Sequence, residues 1–335
     1  MLSIPGAVPG APDSPDSAVA WHYGDPFGEQ RAAVTQAVTV DRSHRFLIAI
    51  TGPERLSWLH SISSQHVSEL ADRTTTENLI LDTNGRVEHH FVLTDVDGTL
   101  WLDTEAATGP ALVDYLRKMV FWAQVEVREA NDFAVLSALG PAFQVPRLEQ
   151  GFARPMPWPT PHAHDLVVPR DRLADYASLA RPAGLWAFEA LRVAAHRPRL
   201  GIDTDERTIP HEVGWIGAAV HLDKGCYRGQ ETVARVHNLG RPPRHLVLLH
   251  LDGSTEERPV PGTDVTAAGR TVGRVGTVVD HFELGPIALA LIKRTVPADT
   301  ELVAGPCAAA IDPDSVPGYD EPQAGRLAVD RLRGR

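Results

Sequence analysis

Hydrophobic positions divide the chain into stretches of distinct period. Over residues 45–51, Phe46, Leu47, Ile48 and Ile50 form a short apolar run, which predicts a buried strand. Thr51 then offers an N-cap and Pro53 a first-turn residue. Leu56, Leu59 and Ile62 follow at helical spacing, so a strand–turn–helix unit is expected. Residues 79–81, 87–94 and 100–102 predict a strand meander, with turns at Asp82-Thr83-Asn84-Gly85 and Asp95-Val96-Asp97-Gly98. An amphipathic helix comes next. Thr108 is placed to cap it, and Leu112, Tyr115, Leu116, Met119 and Val120 share one face. Strands are expected again over 125–128 and 134–139. This order of strand, helix, strands, helix, strands predicts split βαβ units, and hence an α+β fold of mixed sheets and helices.

The second half is less regular at first. Residues 141–170 contain Pro141, Pro146, Pro155, Pro157, Pro159, Pro161 and Pro169, which predicts an irregular surface excursion. A short helix is expected over 171–179. A longer one is expected over 185–195, with Leu185, Phe188, Leu191 and Arg192 on neighbouring positions. Past Pro242-Pro243 the pattern turns all-β, with strands predicted over 246–251, 270–279 and 287–292 between Gly, Pro and Asp turns. That arrangement suits a small closed β module. Residues 1–35, with a Pro-, Gly- and Ser-rich start, read as a flexible tail and lead-in in which Tyr23-Gly24-Asp25-Pro26 forms a turn. The expected organisation is this lead-in, a main domain over 36–241, a β module over 242–315 and a loose tail over 316–335.

Composition narrows the function classes. A net charge of −11 argues against a general nucleic-acid binder, which would be basic. No apolar run approaches the ~20 residues of a membrane-spanning helix, and residues 1–20 lack the features of a signal peptide. A cytoplasmic protein without membrane or nucleic-acid partners is the expectation. Its two cysteines, Cys226 and Cys307, cannot build a disulfide framework, and they are too few to hold an iron–sulfur cluster by themselves. The fifteen histidines show no compact ligand spacing, so no metal site is assigned. Neither a phosphate-binding P-loop nor a strand-linked GxGxxG is present.

One stretch carries more specific chemistry: Lys224-Gly225-Cys226-Tyr227-Arg228-Gly229-Gln230-Glu231. Two glycines bracket the cysteine, and a helical pattern starts after Gly229. Cys226 is therefore expected in a tight turn ahead of a helix N-terminus, where unpaired backbone N–H groups and the Lys224 ammonium favour a thiolate. On that view Lys224→Met would leave stability nearly unchanged. A buried, inert cysteine is the alternative for a lone thiol. The segment from Lys224 to Arg244 carries five cationic side chains against the single acid Glu231. It could face an anionic ligand, a protein partner or only solvent.

The string K-G-C-Y-x-G-Q-E resembles the signature of the YgfZ family, folate-binding-fold proteins that support iron–sulfur enzymes. That family is related to the aminomethyltransferase (T-protein) of the glycine cleavage system. Glu189-Ala190-Leu191-Arg192, Asp205-Glu206-Arg207-Thr208-Ile209-Pro210 and Thr51-Gly52-Pro53-Glu54-Arg55-Leu56 resemble flanking segments. The resemblance runs from Asp41 to Arg294. It implies a T-protein-like folate-binding domain followed by a small C-terminal β-barrel. It also implies tetrahydrofolate or a derivative as cofactor, and iron–sulfur client enzymes or cluster-assembly proteins as partners. Cys226 and Lys224 would then carry the chemistry, with Tyr227, Arg228, Gly229, Gln230, Glu231, Arg192 and Glu88 at the cofactor. Folate would lie close to Lys224 and Arg228.

Two departures bear on activity. Where T-proteins carry paired aspartates, this chain reads Gly85-Arg86-Val87-Glu88-His89-His90. Where they place a pterin-binding glutamate, it has Ala194. An alanine cannot accept the two charge-assisted hydrogen bonds that a pterin edge offers. The implied function is thus an accessory role in assembly or repair of iron–sulfur clusters. The alternatives are a tetrahydrofolate-dependent aminomethyl transferase and a pure interaction module with a structural cysteine.

Overall fold

The computed structural model describes residues 2–318; the rest of the expected tail, 319–335, lies outside the described residues. In chain order the elements are β1 (Val8–Pro9), β2 (Ala20–His22), α1 (Pro26–Thr35), β3 (Val38–Asp41), β4 (Phe46–Thr51), α2 (Arg55–Ile62), β5 (Thr75–Leu81), β6 (Val87–Val96), β7 (Thr99–Thr104) and α3 (Gly109–Lys118). Then come β8 (Glu126–Glu129), β9 (Phe133–Leu139), β10 (Phe152–Met156), β11 (Ala163–Pro169), α4 (Leu173–Ala177), β12 (Arg181–Ala183), α5 (Leu185–Ala194) and α6 (Gln230–Leu239). The last strands are β13 (Arg244–Leu251), β14 (Asp264–Ala267), β15 (Arg270–His281), β16 (Gly285–Lys293), β17 (Leu302–Ala304) and β18 (Cys307–Ile311). Among the described residues, no helix is long and apolar enough to cross a membrane.

The strands form two five-stranded sheets, ordered β5-β6-β7-β4-β8 and β10-β11-β9-β3-β12, and a closed barrel ordered β13-β16-β15-β14-β17-β18. The first sheet is antiparallel throughout. The second is mixed, because β12 returns parallel to β3 after α4. Alternation along β4 explains the layering. Ile48 and Ile50 point into a core closed by Trp58 and Leu59 of α2 and by Leu112 and Leu116 of α3. Leu47 and Ala49 point the other way, into a core shared with Val135, Phe152 and Val167 of the second sheet. The rest of that face is covered by α1 and α5, where Val38, Val40 and Leu139 meet Ala32, Ala33, Phe188 and Leu191, and the opposite face packs Ala134, Leu136, Leu166 and Val168 against Leu173 and Ala177 of α4. Along β13, Val247 and Leu249 fill the barrel, while Leu246 and Leu248 face a separate core with Trp215, Tyr227 and Val233. The barrel thus backs directly onto the region of the signature loop.

Three expectations need correction. The proline-rich excursion contains β10 and β11. β10 is an edge strand, and the exposed Pro155 sits where the missing N–H is not needed, while Phe152, Arg154 and Met156 face inward. The N-terminal stretch is not loose over its whole length: β1 pairs with β2, and Asp16, Val19 and Ala20 are buried. Helix α2 starts later than Thr51, with Glu54 at its N-cap. Gly52 holds φ at 112° there, and a Cβ on it would meet the Gln124 carbonyl oxygen at 2.1 Å, so the turn continues past Pro53 before the helix begins.

Candidate functional site

Cys226 is exposed in the loop ahead of α6. The loop is held by its own backbone and by the β5–β6 turn. Gly229, the α6 N-cap, has φ 84°, and a Cβ there would come within 2.5 Å of Asp82 O and 2.8 Å of Gly85 Cα. Gly85, at φ 76°, faces it, and a Cβ on Gly85 would meet Thr232 at 2.9 Å. The two glycines let two backbones approach where side chains would keep them apart. Gln230 closes the loop by donating from Nε2 to Lys224 O at 3.1 Å. Arg228 donates to Leu81 O and pairs with Glu88, and its guanidinium lies over the Tyr115 ring at 5.4 Å. Glu88 itself stands at a bulge, where the pairing of β5 with β6 steps from His89 to Val87. Bulges re-aim side chains in this way.

Lys224 is buried, and all three of its N–H bonds are taken. They go to the carbonyls of His60, Ser63 and Gln65, the last two at 2.5 and 3.1 Å. His60 and Ser63 end α2, so the ammonium caps that helix where its carbonyls are unpaired and its dipole is negative. The Tyr227 ring lies 5.2 Å from the same nitrogen. Burial pulls the Lys224 ammonium down to about 8, which still leaves it mostly charged at neutral pH. Of the five cations of this segment, Arg244 is also committed, to Asp205 and Glu212.

A cleft that is open at its mouth and encloses little empty space lies elsewhere in the α+β domain. Its lining includes the rings of Trp158, Phe188 and His90 and the cations Arg42, Arg45, Arg192 and Arg199, with the Arg42 guanidinium 4.2 Å over the Phe188 ring. Behind them runs a continuous buried ion network. Arg154 bridges Asp103 and Asp165, Arg42 reaches Asp165, and Arg45 pairs with Asp103 and Glu105. Arg199 links Glu105, Glu189 and Asp16, and Arg192 holds Glu189 and Asp203. Burial alone would raise the carboxyls of Asp103, Glu105 and Glu189, but the arginines outweigh it and hold all three below the usual carboxylate range. His44 Nδ1 is buried without a hydrogen-bond partner.

The structure brings some of the expected site residues together and separates others. Tyr227, Arg228, Gly229, Gln230 and Glu231 share the loop region with Cys226, and Arg228 draws Glu88 to it. Arg192 instead lines the cleft. Neither Lys224 nor Arg228 is among the cleft's lining residues, and Ala194 packs against the core that holds Trp215 and Tyr227. His90 connects the two regions: it lines the cleft and stacks on Trp215, 4.6 Å and 8° apart. Sequence reasoning missed Arg42, His44, Arg45, Glu105 and Arg199. They lie in polar runs such as Asp41-Arg42-Ser43-His44-Arg45 that carry no spacing signal, and most of their partners are far away in the chain.

No family model matches the chain. A chloroplastic Arabidopsis thaliana protein, provisionally named a transferase, is 25% identical over 75% of this chain, and the match spans 65% of that protein, just under two thirds of its length. The tRNA-modifying protein YgfZ of Cronobacter sakazakii is also 25% identical, over 71% of this chain and 78% of its own. The glycine cleavage aminomethyltransferase T of Bartonella henselae superposes with a TM-score of 0.80 at 19% identity, covering 97% of this chain and 96% of that one. The chain is therefore related in sequence to the YgfZ proteins and is built on the fold of the glycine cleavage aminomethyltransferase.

Proposed function

We propose that the protein is an accessory factor for assembly or repair of iron–sulfur clusters in client enzymes, acting through Cys226 and a folate-type ligand in the cleft. The observation that carries this reading is the signature loop: it is fixed on both sides by backbone docking and by Lys224, yet presents its thiol to solvent. Such a loop suits a thiol that must reach a partner protein. The link to tRNA modification in the name of the YgfZ relatives fits a client enzyme that acts on tRNA better than direct RNA binding by a chain of net charge −11.

The cleft suits a flat heteroaromatic ring in part. Trp158, Phe188 and His90 line it with aromatic rings, and His44 Nδ1 supplies an unpaired polar atom. Glu105 and Glu189 are each engaged by arginines, so neither is free to take the role that Ala194 leaves vacant. A tetrahydrofolate-dependent aminomethyl transferase draws its support from the fold. Against it, Glu88, the carboxylate nearest in sequence to the T-protein aspartates, is paired with Arg228.

The test combines calorimetric titration with tetrahydrofolate derivatives and client-enzyme activity in a deletion strain complemented by wild type or Cys226→Ser. Binding without turnover, together with failure of the serine variant to restore client activity, is expected. Full rescue by Cys226→Ser would sink the thiol's role, and aminomethyl transfer in vitro would favour the transferase.

A further inference from the structure

Asp16 comes from the N-terminal stretch, yet it sits buried against the wall of the central cleft. Its carboxylate receives both ends of the Arg199 guanidinium, at 2.8 and 2.9 Å, and His44 Nε2 lies 3.3 Å away. This fork-to-fork geometry is how arginine recognises a free carboxylate. We propose that Arg199 and His44 form a carboxylate-binding site at the cleft, occupied here by the chain's own Asp16, so that residues 8–18 act as a strap displaced by a carboxylate-bearing ligand.

Three observations support exchange rather than a permanent structural pair. First, the network does not need Asp16 for charge balance: Arg42, Arg45, Arg154, Arg192 and Arg199 are already matched by Asp103, Glu105, Asp165, Glu189 and Asp203. Arg199 would keep Glu105 and Glu189 after Asp16 left. Second, the strap is lightly built. Its backbone hydrogen bonds from Ala11 to Val19 are local turns, β1 is held only by its pairing with β2, and most side chains from Leu2 to Pro15 are exposed or half-buried, whereas Val19 and Trp21 beyond it are packed against α5 and anchor the strap's end. Third, His44 and Arg199 both line the cleft, and the buried His44 Nδ1 has no partner. Trp158 and Phe188 line the same cleft. An aromatic or heteroaromatic carboxylate is the ligand class that uses both features. This inference rests on reading the cleft as a ligand pocket, but not on folate being the ligand.

Benzoate is the probe, and benzamide, of the same shape without the charge, is the control. Both are titrated calorimetrically into full-length wild type, Asp16→Asn and Asp16→Ala. Removing the internal competitor should tighten benzoate binding about tenfold or more and leave benzamide unchanged. Arg199→Lys in the Asp16→Asn background keeps the charge but loses the fork, and should abolish the gain. Saturating benzoate should also raise amide exchange across residues 8–18 of the wild type, a measurement that needs no variant. Equal benzoate affinity in wild type and both Asp16 variants, or unchanged exchange in the strap, would show a structural ion pair only and overturn the proposal. A protein that binds no tetrahydrofolate but gains benzoate affinity in Asp16→Asn would refute the folate reading and leave this one standing.

Discussion

At the scale of the residue, Lys224 shows how a side chain's place in the fold can outweigh its place in a motif. Two residues from a cysteine, its charge suggests activation of the thiol. In the fold its three N–H bonds go to the carbonyls that end α2 and to Gln65 O. Methionine keeps the stem's volume but leaves buried acceptors without a donor, and each such loss costs ~1–3 kcal/mol. Lys224→Met should therefore destabilise the protein by about 2–4 kcal/mol, contrary to the small change expected from sequence. The urea midpoint measures this directly, and a midpoint equal to wild type would remove Lys224 as the cap of α2. Cys226, being exposed, should tolerate serine within ~0.5 kcal/mol. Loss of client rescue by that variant would then not reflect unfolding.

At the scale of the element, the two glycines of the signature can be told apart. Gly229 has a left-handed backbone and faces Asp82 O and Gly85, whereas Gly225 has open space where a Cβ would go and no left-handed φ. Gly229→Ala should cost about 2–4 kcal/mol, combining backbone strain with forced separation of the loop from the β5–β6 turn. Gly225→Ala should change stability by less than ~0.5 kcal/mol. Equal effects in thermal or urea melts would mean that the loop is not docked as described. The β4–α2 unit, the meander and α3 were legible in sequence because their apolar periods run uninterrupted, as at Ile48, Ile50, Leu112 and Leu116. β10 was not, because Arg154 occupies an inward position that only Asp103, far away in the chain, and Asp165, opposite it on β11, make tenable. The short strands β14, β17 and β18 escaped for another reason: alanine-rich stretches such as Cys307–Ile311 carry little pattern. The loop was found from its motif; the cleft was not, since ion networks built from distant residues leave no local spacing.

At the scale of the whole molecule, buried histidines set how the fold responds to acid. Burial pushes His44, His89 and His211 down to about 4, with Arg228 adding to the effect at His89 and His237 at His211. In the unfolded chain each titrates near 6.5. Between those values the unfolded state binds protons that the folded state refuses. Stability is thus fully retained above about pH 6.5 and declines as pH falls toward 4, by up to about 1.4 kcal/mol per pH unit for each group. The carboxylates of Asp103, Glu105 and Glu189 are held low by arginines and add their own loss only at more acidic pH. Denaturant midpoints measured from pH 7.5 down to 4.5 should therefore stay level at first and then fall before the carboxylates titrate. His211 offers a clean test, since both its ring nitrogens are buried without partners. His211→Phe keeps a ring and takes up no proton, so it should flatten the slope below pH 6.5 by one group's share. An unchanged slope in that variant, or a level curve from pH 7.5 to 5, would show that these imidazoles accept protons in the folded state as readily as in water.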